Sequence, residues 1–242
     1  MTQITGGQNI CGVSIGVLAL ESYFPKPPGH IKNPSSLGFT TCYEIIEGLT
    51  VPGLLNNPSD DMIAPLLEAA RRLEKQGVKA ITGSCGFLAL FQRQITEAVS
   101  IPVFVSSLVQ APLIYVMTGK PVGVLTASAS LLTQKHLEGV GAADIPLVIE
   151  GLESSDEFAK VILRNERNDM DLELVEAEVL SAGERLISRA PEIGAILLEC
   201  TDLPPYAHSL QERFGRPVFD IITLANMMDA ASIRQPFSGF IN

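Results

Sequence analysis

The most constraining feature of the sequence is a segment that occurs twice, with a cysteine at the same place in each copy. Cys200 follows Cys85 by 115 residues, and the apolar residues on both sides repeat with that same offset. The matching pairs are Ala80-Ile81 with Ala195-Ile196 and Pro102-Val103-Phe104 with Pro217-Val218-Phe219. In each copy an apolar run typical of a buried strand ends near the cysteine, and a helix and a second strand follow. The pattern therefore predicts a duplicated strand–Cys–helix–strand unit.

The composition supports buried parallel sheets as the framework of both copies. Apolar residues make up 46% of the 242 residues, whereas aromatic residues make up only 6%, so the cores are built from aliphatic side chains. Strands covered by helices have this composition. The residues Gly16-Val17-Leu18 recur as Gly123-Val124-Leu125, which indicates that the alternation of strands and helices starts again. We therefore predict an α/β fold of two pseudo-symmetric lobes, each a short, mostly parallel sheet flanked by helices.

The expected division of the chain follows from that restart. Residues 1–110 together with 218–242 form the first lobe, which carries Cys85, and residues 111–217 form the second, which carries Cys200. The final segment, Thr223–Ala231, is predicted to be a helix that packs back on the first half. Ligands of open parallel sheets bind beyond the carboxyl ends of the strands. Both cysteines occupy such ends, so a site that contains both thiols is expected.

Two thiols that face each other across a substrate form an acid/base pair. Each cysteine precedes a predicted helix, whose N-terminal N–H groups favour a thiolate or a bound carboxylate and lower the pKa of a nearby thiol. One sulfur, as thiolate, removes a proton from carbon, and the other, as thiol, donates a proton to the opposite face. The outcome is inversion of that carbon without metal or cofactor. The carbon must be α to a carboxylate or a similar group, whose developing charge backbone amides stabilise.

The motifs around both cysteines resemble the aspartate/glutamate racemase superfamily. They are Gly83-Ser84-Cys85-Gly86 and Leu198-Glu199-Cys200-Thr201-Asp202-Leu203-Pro204-Pro205, together with Gly123-Val124-Leu125-Thr126 and the Pro217–Asp220 strand. The resemblance spans nearly the whole chain, and Cys-Thr-Asp-Leu-Pro is its most specific part. It implies a site at the interface of two α/β lobes and cofactor-independent racemisation by Cys85 and Cys200. The substrate that it implies is an amino acid or a related small acid.

The resemblance also implies which residues bind the substrate. Gly86, Phe87 and Thr201 match positions whose backbone amides, and one hydroxyl, hold the substrate carboxylate. Thr126, at the end of the restarting strand, matches a common substrate-contact region, and Ser84 is a further candidate for binding the substrate. Members that act on glutamate or aspartate usually carry Asn-Thr after the first cysteine, where this chain has Gly86-Phe87. This departure counts against free aspartate or glutamate as the substrate, while it leaves the two-base chemistry in place.

Other activities and other classes of protein stay open at this stage. The superfamily includes hydantoin racemases, malonate decarboxylases with a single cysteine, and maleate isomerases, in which one cysteine is a nucleophile. Two cysteines disfavour the decarboxylase. An alternative of another class is a non-catalytic protein that binds small carboxylates, although binding alone needs no thiol. A redox pair is a third interpretation, and it requires the two thiols to close into a disulfide.

Charge and cysteine usage restrict the partners and the location of the protein. A formal net charge of −10 repels the phosphates of nucleic acids, and no apolar run is long enough to span a membrane. The four cysteines form no CxxC pair and match no zinc pattern. Free thiols in a reducing cytoplasm are therefore expected, with neither metal nor cofactor. The resemblance is compatible with a homo-oligomer but supplies no interface.

Further candidate residues lie near the first strand and the second cysteine. The segment Tyr23–Leu37 is rich in proline and glycine, and a loop of this length in a compact protein is usually functional. We predict a lid or a substrate-facing loop, within which His30 is a candidate for contact with substrate. Glu199 and Asp202 flank the second cysteine and are candidates for assisting it. Asp202 is equally suited to capping the helix that follows.

Overall fold

The computed structural model describes residues 6–241. Its strands are β1 (Ile15–Glu21), β2 (Thr41–Thr50), β3 (Ala80–Gly83), β4 (Val103–Phe104), β5 (Val122–Thr126), β6 (Leu147–Gly151), β7 (Ala195–Leu198) and β8 (Val218–Phe219). They form two four-stranded sheets, with the orders β2-β1-β3-β4 and β6-β5-β7-β8. All of these strand pairs are parallel. The predicted α/β fold of two lobes is therefore confirmed.

Helices connect the parallel strands and pack against the sheets. They are α1 (Val51–Asn56), α2 (Ile63–Gln76), α3 (Gln92–Ala98), α4 (Ala111–Thr118), α5 (Gln134–Gly139), α6 (Asp156–Phe158), α7 (Leu172–Arg189), α8 (Ala207–Phe214) and α9 (Ile221–Ser232). A π-helical turn, Ala159–Leu163, continues α6. Two 3₁₀ turns lie close to the cysteines in the chain. Gly86–Phe91 follows β3 and Cys85, and Pro204–Tyr206 follows β7 and Cys200.

The strand register repeats from one sheet to the other. In the first sheet Gly16 of β1 lies opposite Ile81 of β3. In the second sheet Gly123 of β5 lies opposite Ile196 of β7. The outer pairs, β3 with β4 and β7 with β8, repeat in the same way. The repeat seen in the sequence is thus a repeat of hydrogen-bonded structure, and the two cysteines follow equivalent central strands.

A glycine in the first strand of each sheet allows a helix to pack closely. A Cβ on Gly16 would lie 3.0 Å from Leu73 of α2. A Cβ on Gly123 would overlap Ile193 and lie 3.0 Å from Leu186 of α7. Because both strands are central and buried, the missing side chain brings helix and sheet into direct contact. The Gly-Val-Leu motif thus marks helix packing in both lobes.

The chain returns to the first sheet through its last helix, as the sequence predicts. Ile221, Leu224 and Ala225 of α9 are buried in one cluster with Ile15 and Val17 of β1. The expected division assigns residues 218–242 to the first lobe, whereas β8 pairs with β7 in the second sheet. The crossing therefore occurs at the start of α9, because the two-residue strand still completes the ladder of the second sheet.

The α-helices that follow the two cysteines begin later in the chain than the sequence predicts. A 3₁₀ turn comes first in each case, and α3 and α8 begin only at Gln92 and Ala207. After β7, Pro204 and Pro205 occupy the first positions of the 3₁₀ turn, where the fixed φ of proline is favourable and its missing N–H is not needed. After β3 the side chain of Gln92 donates to the Val103 carbonyl of β4 and accepts from the N–H of Val105 just beyond it, each at 2.9 Å. The nearest backbone donors to both thiols therefore belong to turns.

Candidate functional site

The carboxyl ends of β3 and β7 carry both predicted catalytic cysteines into one buried region. Cys85 and Cys200 each lie two residues beyond their strand, and they are 7% and 6% exposed. The turns that carry them are in contact, since Thr201 binds the backbone of Ser84, and the charge of Cys85 contributes to the raised pKa of Cys200. Both are free thiols.

Burial raises the pKa of both thiols. For Cys85 the loss of solvation is the main cause, followed by the charge of Glu199. For Cys200 the loss of solvation is again the main cause, and the charge of Asp202 comes next. The N–H groups of Phe87 and Asp202 donate to the two sulfurs and oppose this effect only in part. The expected lowering of the thiol pKa is wrong for this site, because burial removes solvation from both sulfurs and the carboxyl groups of Glu199 and Asp202 add to the effect.

Hydrogen bonds between the two halves of the molecule hold the cysteine turns together. The Thr201 hydroxyl donates to the carbonyl oxygen of Ser84 at 2.6 Å, so the neighbours of the two thiols are tied directly. Within the first half, the Ser84 hydroxyl oxygen accepts from the Leu20 N–H at 2.8 Å and fixes the Cys85 turn to β1. Farther along the interface, the Ser107 hydroxyl donates to the carbonyl oxygen of Leu198 at 2.6 Å. These buried bonds fix the two turns relative to one another.

Glu199 is a fully buried carboxyl group beside Cys200. Its Oε2 accepts a hydrogen bond from the Thr126 hydroxyl at 2.7 Å and another from the Ala127 N–H. Its Oε1 has no hydrogen-bond partner among the described residues. Loss of solvation raises the pKa of Glu199 to about 7. Near neutral pH this buried residue is therefore divided between its acid and carboxylate forms.

Gly86 makes room for Glu199. A Cβ on Gly86 would overlap both the Oε1 and the carbonyl oxygen of Glu199. The departure from Asn at the position after the first cysteine thus has a steric reason, since a carboxyl group from the other half of the chain fills the space of that side chain. Sequence reasoning named Glu199 only as a general candidate. The glycine after Cys85 was the signal that could have connected the two positions.

A residue of the proline-rich loop reaches the second cysteine motif. His30 Nε2 lies 2.9 Å from Asp202 Oδ1, and the Cys200 thiol lies 3.4 Å from Asp202 Oδ2. His30 is only 2% exposed. The loop therefore contributes a buried side chain beside the second cysteine motif, and its role as a lid or substrate-facing loop stays a prediction. The capping role considered for Asp202 does not apply, because α8 begins at Ala207 and shows no side-chain cap.

Phe87 lies on the other side of the site, next to a buried histidine. Its ring meets that of His136 edge to face, with centroids 4.8 Å apart. Burial lowers the pKa of His136 to about 4. His136 Nδ1 accepts from the Thr133 N–H at 3.1 Å, so the neutral ring carries its proton on Nε2. On this side of the site, Cys85 is therefore followed by a cluster of two uncharged rings, those of Phe87 and His136.

All the residues predicted for the site belong to this cluster. They are Cys85, Cys200, Ser84, Gly86, Phe87, Thr126 and Thr201. The hydroxyls of Ser84, Thr126 and Thr201 form bonds within the protein, so the backbone N–H groups of the two turns are the donors that suit a substrate carboxylate. The roles of these residues in binding and catalysis stay predictions.

Neither a metal-binding cluster nor a membrane-spanning helix occurs within residues 6–241. No set of three or more His, Cys, Asp or Glu side chains is arranged there to hold a metal ion. In the same part of the chain, each helix is too short or too polar to cross a membrane.

Sequence comparison relates the chain to one family of enzymes. The family model described as Asp/Glu/Hydantoin racemase matches residues 40–228. Dimethylsulfoniopropionate lyase 3 of Emiliania huxleyi (strain CCMP1516) is 32% identical over 241 residues, which cover 95% of the chain and 62% of that relative. The chain thus spans less than two thirds of the length of this curated relative.

Solved structures share the fold. Arylmalonate decarboxylase has a TM-score of 0.59 at 17% identity, and the match covers 90% of this chain and 92% of that one. Glutamate racemase from Francisella tularensis subsp. tularensis SCHU S4, in complex with D-glutamate, has a TM-score of 0.57 at 19% identity, with 91% and 80% covered. At such identities the likeness concerns the fold alone.

Proposed function

Because the chain belongs to the Asp/Glu/Hydantoin racemase family, we propose that it is an enzyme that removes a proton from the carbon α to a carboxylate and completes an elimination from dimethylsulfoniopropionate. The Cys200 thiolate takes the α-proton, and the C–H electron pair becomes the double bond between the α- and β-carbons. The bond from the β-carbon to the sulfonium sulfur breaks and leaves its electron pair on sulfur. The products are acrylate, dimethyl sulfide and one proton.

The observation that carries the proposal is the unequal surroundings of the two thiols. Phe87 and Asp202 stand at equivalent positions, two residues beyond their cysteines, and donate N–H bonds to the respective sulfurs. Only Asp202 adds a carboxylate, whose Oδ2 lies 3.4 Å from the sulfur of Cys200. A racemase needs a competent base on each face of the carbon, because both enantiomers are substrates. An elimination needs one base, and Cys200 with Asp202 suits that role.

The charge of the site favours a cationic substrate. After burial, the negative charges of Glu199 and Asp202 raise the pKa of both thiols. A cation bound in the cleft opposes both effects, because it supplies an attractive charge where solvation has been lost. The sulfonium group carries a fixed positive charge at every pH. Its binding therefore lowers the pKa of Cys200 when the thiolate is required.

The name of the 32% identical relative supports the same substrate. Dimethylsulfoniopropionate combines a small carboxylate, which the sequence motifs imply, with the cation that the buried carboxyl groups favour. The N–H groups of the turns at Gly86, Phe87 and Thr201 would hold the carboxylate and stabilise the negative charge that develops when the α-proton leaves. In this arrangement Cys85 lies beside the substrate as a neutral thiol.

Amino-acid racemisation is the second candidate. The observation in its favour is the second buried thiol, since an elimination by one base makes no direct use of Cys85. In a racemase Cys85 would return a proton to the face opposite Cys200. An ammonium group would also offset the negative charges of the site, so an α-amino acid meets the same electrostatic requirement.

The two candidates are separated by assays on the purified chain and its cysteine variants. Dimethyl sulfide released from dimethylsulfoniopropionate is measured by headspace gas chromatography. Cys200→Ser and Asp202→Asn should abolish or strongly reduce release, because a serine hydroxyl is far too weak a base and the amide removes the carboxylate. Cys85→Ser should retain measurable release. The matched control is Cys42→Ser, because this thiol lies on β2 and is not among the predicted site residues.

A parallel screen follows optical rotation and α-deuterium exchange of amino acids, hydantoins and small dicarboxylates. Inversion that requires both Cys85 and Cys200, without any release of dimethyl sulfide, would replace the elimination with the racemase. Binding of dimethylsulfoniopropionate without turnover or exchange would instead identify a binding protein.

A further inference from the structure

The proline-rich loop (Tyr23–Leu37) supplies the hydrogen-bond donor to Asp202. We propose that His30 is a positioning residue, whose Nε2–H holds Oδ1 of Asp202 so that Oδ2 takes the proton of the Cys200 thiol. The inference rests on the proposed function, since it assigns the partner of the proposed base. It connects two segments that are 172 residues apart in the chain.

The protonation pattern of His30 follows from its two hydrogen bonds. Its Nδ1 accepts from the backbone N–H of Lys32 at 2.8 Å, so in the neutral ring the proton is on Nε2. That Nε2–H points to Asp202 Oδ1 at 2.9 Å. The other carboxylate oxygen is left to the sulfur of Cys200 at 3.4 Å. The carboxylate is thus held on one side by a donor and faces the thiol on the other.

Other charged groups near Asp202 do not replace His30. Lys26 and Lys32 both act on it electrostatically, but their ammonium groups donate elsewhere. Lys32 Nζ donates to the Leu20 carbonyl at 2.6 Å and to a serine hydroxyl. Lys26 Nζ donates to backbone carbonyls of the loop. The two lysines therefore hold the loop in shape, whereas His30 makes the direct contact.

The loop is built to place His30 with little freedom. Gly29 has φ of +102°, and a Cβ there would lie 2.7 Å from the Cα of Pro205. Its N–H donates to the Ser36 hydroxyl at 2.8 Å, and the Asn33 N–H donates to the His30 carbonyl at 2.9 Å. The loop backbone thus lies directly on the proline turn that follows the Cys-Thr-Asp motif. The contact of the loop with Pro205 and the position of His30 therefore depend on the same loop conformation.

The proton steps balance without a further reactant. The S–H bond of Cys200 breaks, its electron pair stays on sulfur, and an O–H bond forms on Oδ2 of Asp202. The thiolate then takes the α-proton and becomes a thiol again. Asp202 releases its proton to water when the product leaves, which accounts for the one proton that elimination produces.

The first test needs no substrate. In a Cys85→Ser background, the rate of alkylation of Cys200 by iodoacetamide at pH 8 reports the thiolate fraction. Asp202→Asn should raise that rate, because a negative charge beside the sulfur is removed. His30→Leu should lower it by about threefold to tenfold, because Asp202 without its donor concentrates its charge toward the sulfur. His30→Gln, whose amide can donate in the same place, should return it to the parent value.

A double variant distinguishes positioning from a general effect on structure. If His30 acts through Asp202, His30→Leu combined with Asp202→Asn should react at the rate of Asp202→Asn alone. Equal or faster alkylation in His30→Leu than in the parent would overturn the inference, because it would mean that the histidine only keeps the loop closed. No difference between His30→Leu and His30→Gln would overturn it as well. If His30→Leu does not fold, His30→Ala with and without added imidazole takes its place.

The second test uses the release of dimethyl sulfide. His30→Leu should lower kcat on the order of tenfold or more with little change in KM, and His30→Gln should restore most of it. His208→Leu is the matched control, because His208 is exposed and pairs with Glu212 at 3.4 Å. If the alkylation pattern holds and the parent releases no dimethyl sulfide, the proposed function fails while the positioning of Asp202 stands.

Discussion

Substitution of the buried acid Glu199 by Gln provides a direct measure of the electrostatics of the site. Glutamine has the shape of the protonated acid, so its carbonyl can accept from the Thr126 hydroxyl as Oε2 does at 2.7 Å. Its amide then occupies the place of Oε1. The variant thus keeps the contacts of the neutral residue and removes only its ability to ionise.

The magnitude follows from the pKa of Glu199 in the two states. Its ordinary pKa of 4.5 is raised to about 7 in the folded protein, chiefly by loss of solvation. Between these values the unfolded chain has lost the proton that the folded chain still holds, so stability falls as the pH rises from 4.5 to 7. The contribution of Glu199 to the free energy of unfolding is fully present below that range. The difference between its two pKa values, roughly 2.5, corresponds to about 3 kcal/mol.

The assay is urea unfolding followed by circular dichroism at pH 4.5 and pH 8. The free energies of the parent and of Glu199→Gln should agree within about 1 kcal/mol at the lower pH. At pH 8 the variant should be more stable by about 3 kcal/mol, which is a shift of about 1 M in the urea midpoint for a chain of this size. Glu97→Gln, which changes a carboxylate on an exposed surface, should follow the parent at both pH values.

The same change in the free energy of unfolding between pH 4.5 and pH 8 in the parent and in Glu199→Gln would refute this reasoning. It would mean that Glu199 ionises as readily in the folded chain as in the unfolded one. Distant titrating groups are present in both proteins and cancel in the difference, whereas Cys85, Cys200 and Asp202 interact with Glu199 and contribute to the measured value.

Further predictions concern the contacts that join the two halves. Gly86→Ala should destabilise the protein by about 2 kcal/mol, because its Cβ overlaps Glu199, and thermal unfolding should show a lower Tm; an unchanged Tm would contradict the contact. Thr201→Val should cost about 1–3 kcal/mol in urea unfolding, because the buried carbonyl of Ser84 loses its donor. His136, whose pKa falls to about 4 from 6.5, should lower stability as the pH falls between those values, and a His136→Asn variant should lack that slope.

The sequence was sufficient to predict the framework of this protein. The offset between Cys85 and Cys200 is reproduced in the strand register of the two sheets, because strand and helix patterns depend on residues close together in the chain. The position of each thiol beyond a central strand follows from the same local pattern. The return of α9 to the first sheet was also predictable, since its apolar face needs a partner.

The state of the thiols was not predictable in this way. Proximity to helix N-termini suggested a lowered pKa, whereas the folded site raises it through burial and through Glu199 and Asp202. Desolvation depends on which surfaces cover a group, and that is settled only when distant segments pack together. The unequal neighbours of Cys85 and Cys200 have the same origin.

The sequence by itself therefore determined the two sheets, their repeat and the approach of two cysteines. Only the tertiary structure decided that His30 meets Asp202 across 172 residues and that Glu199 fills the space left by Gly86. The physical reason is that periodic patterns specify elements through local contacts, whereas a long loop and a buried carboxyl group acquire partners only from the packing of the complete chain.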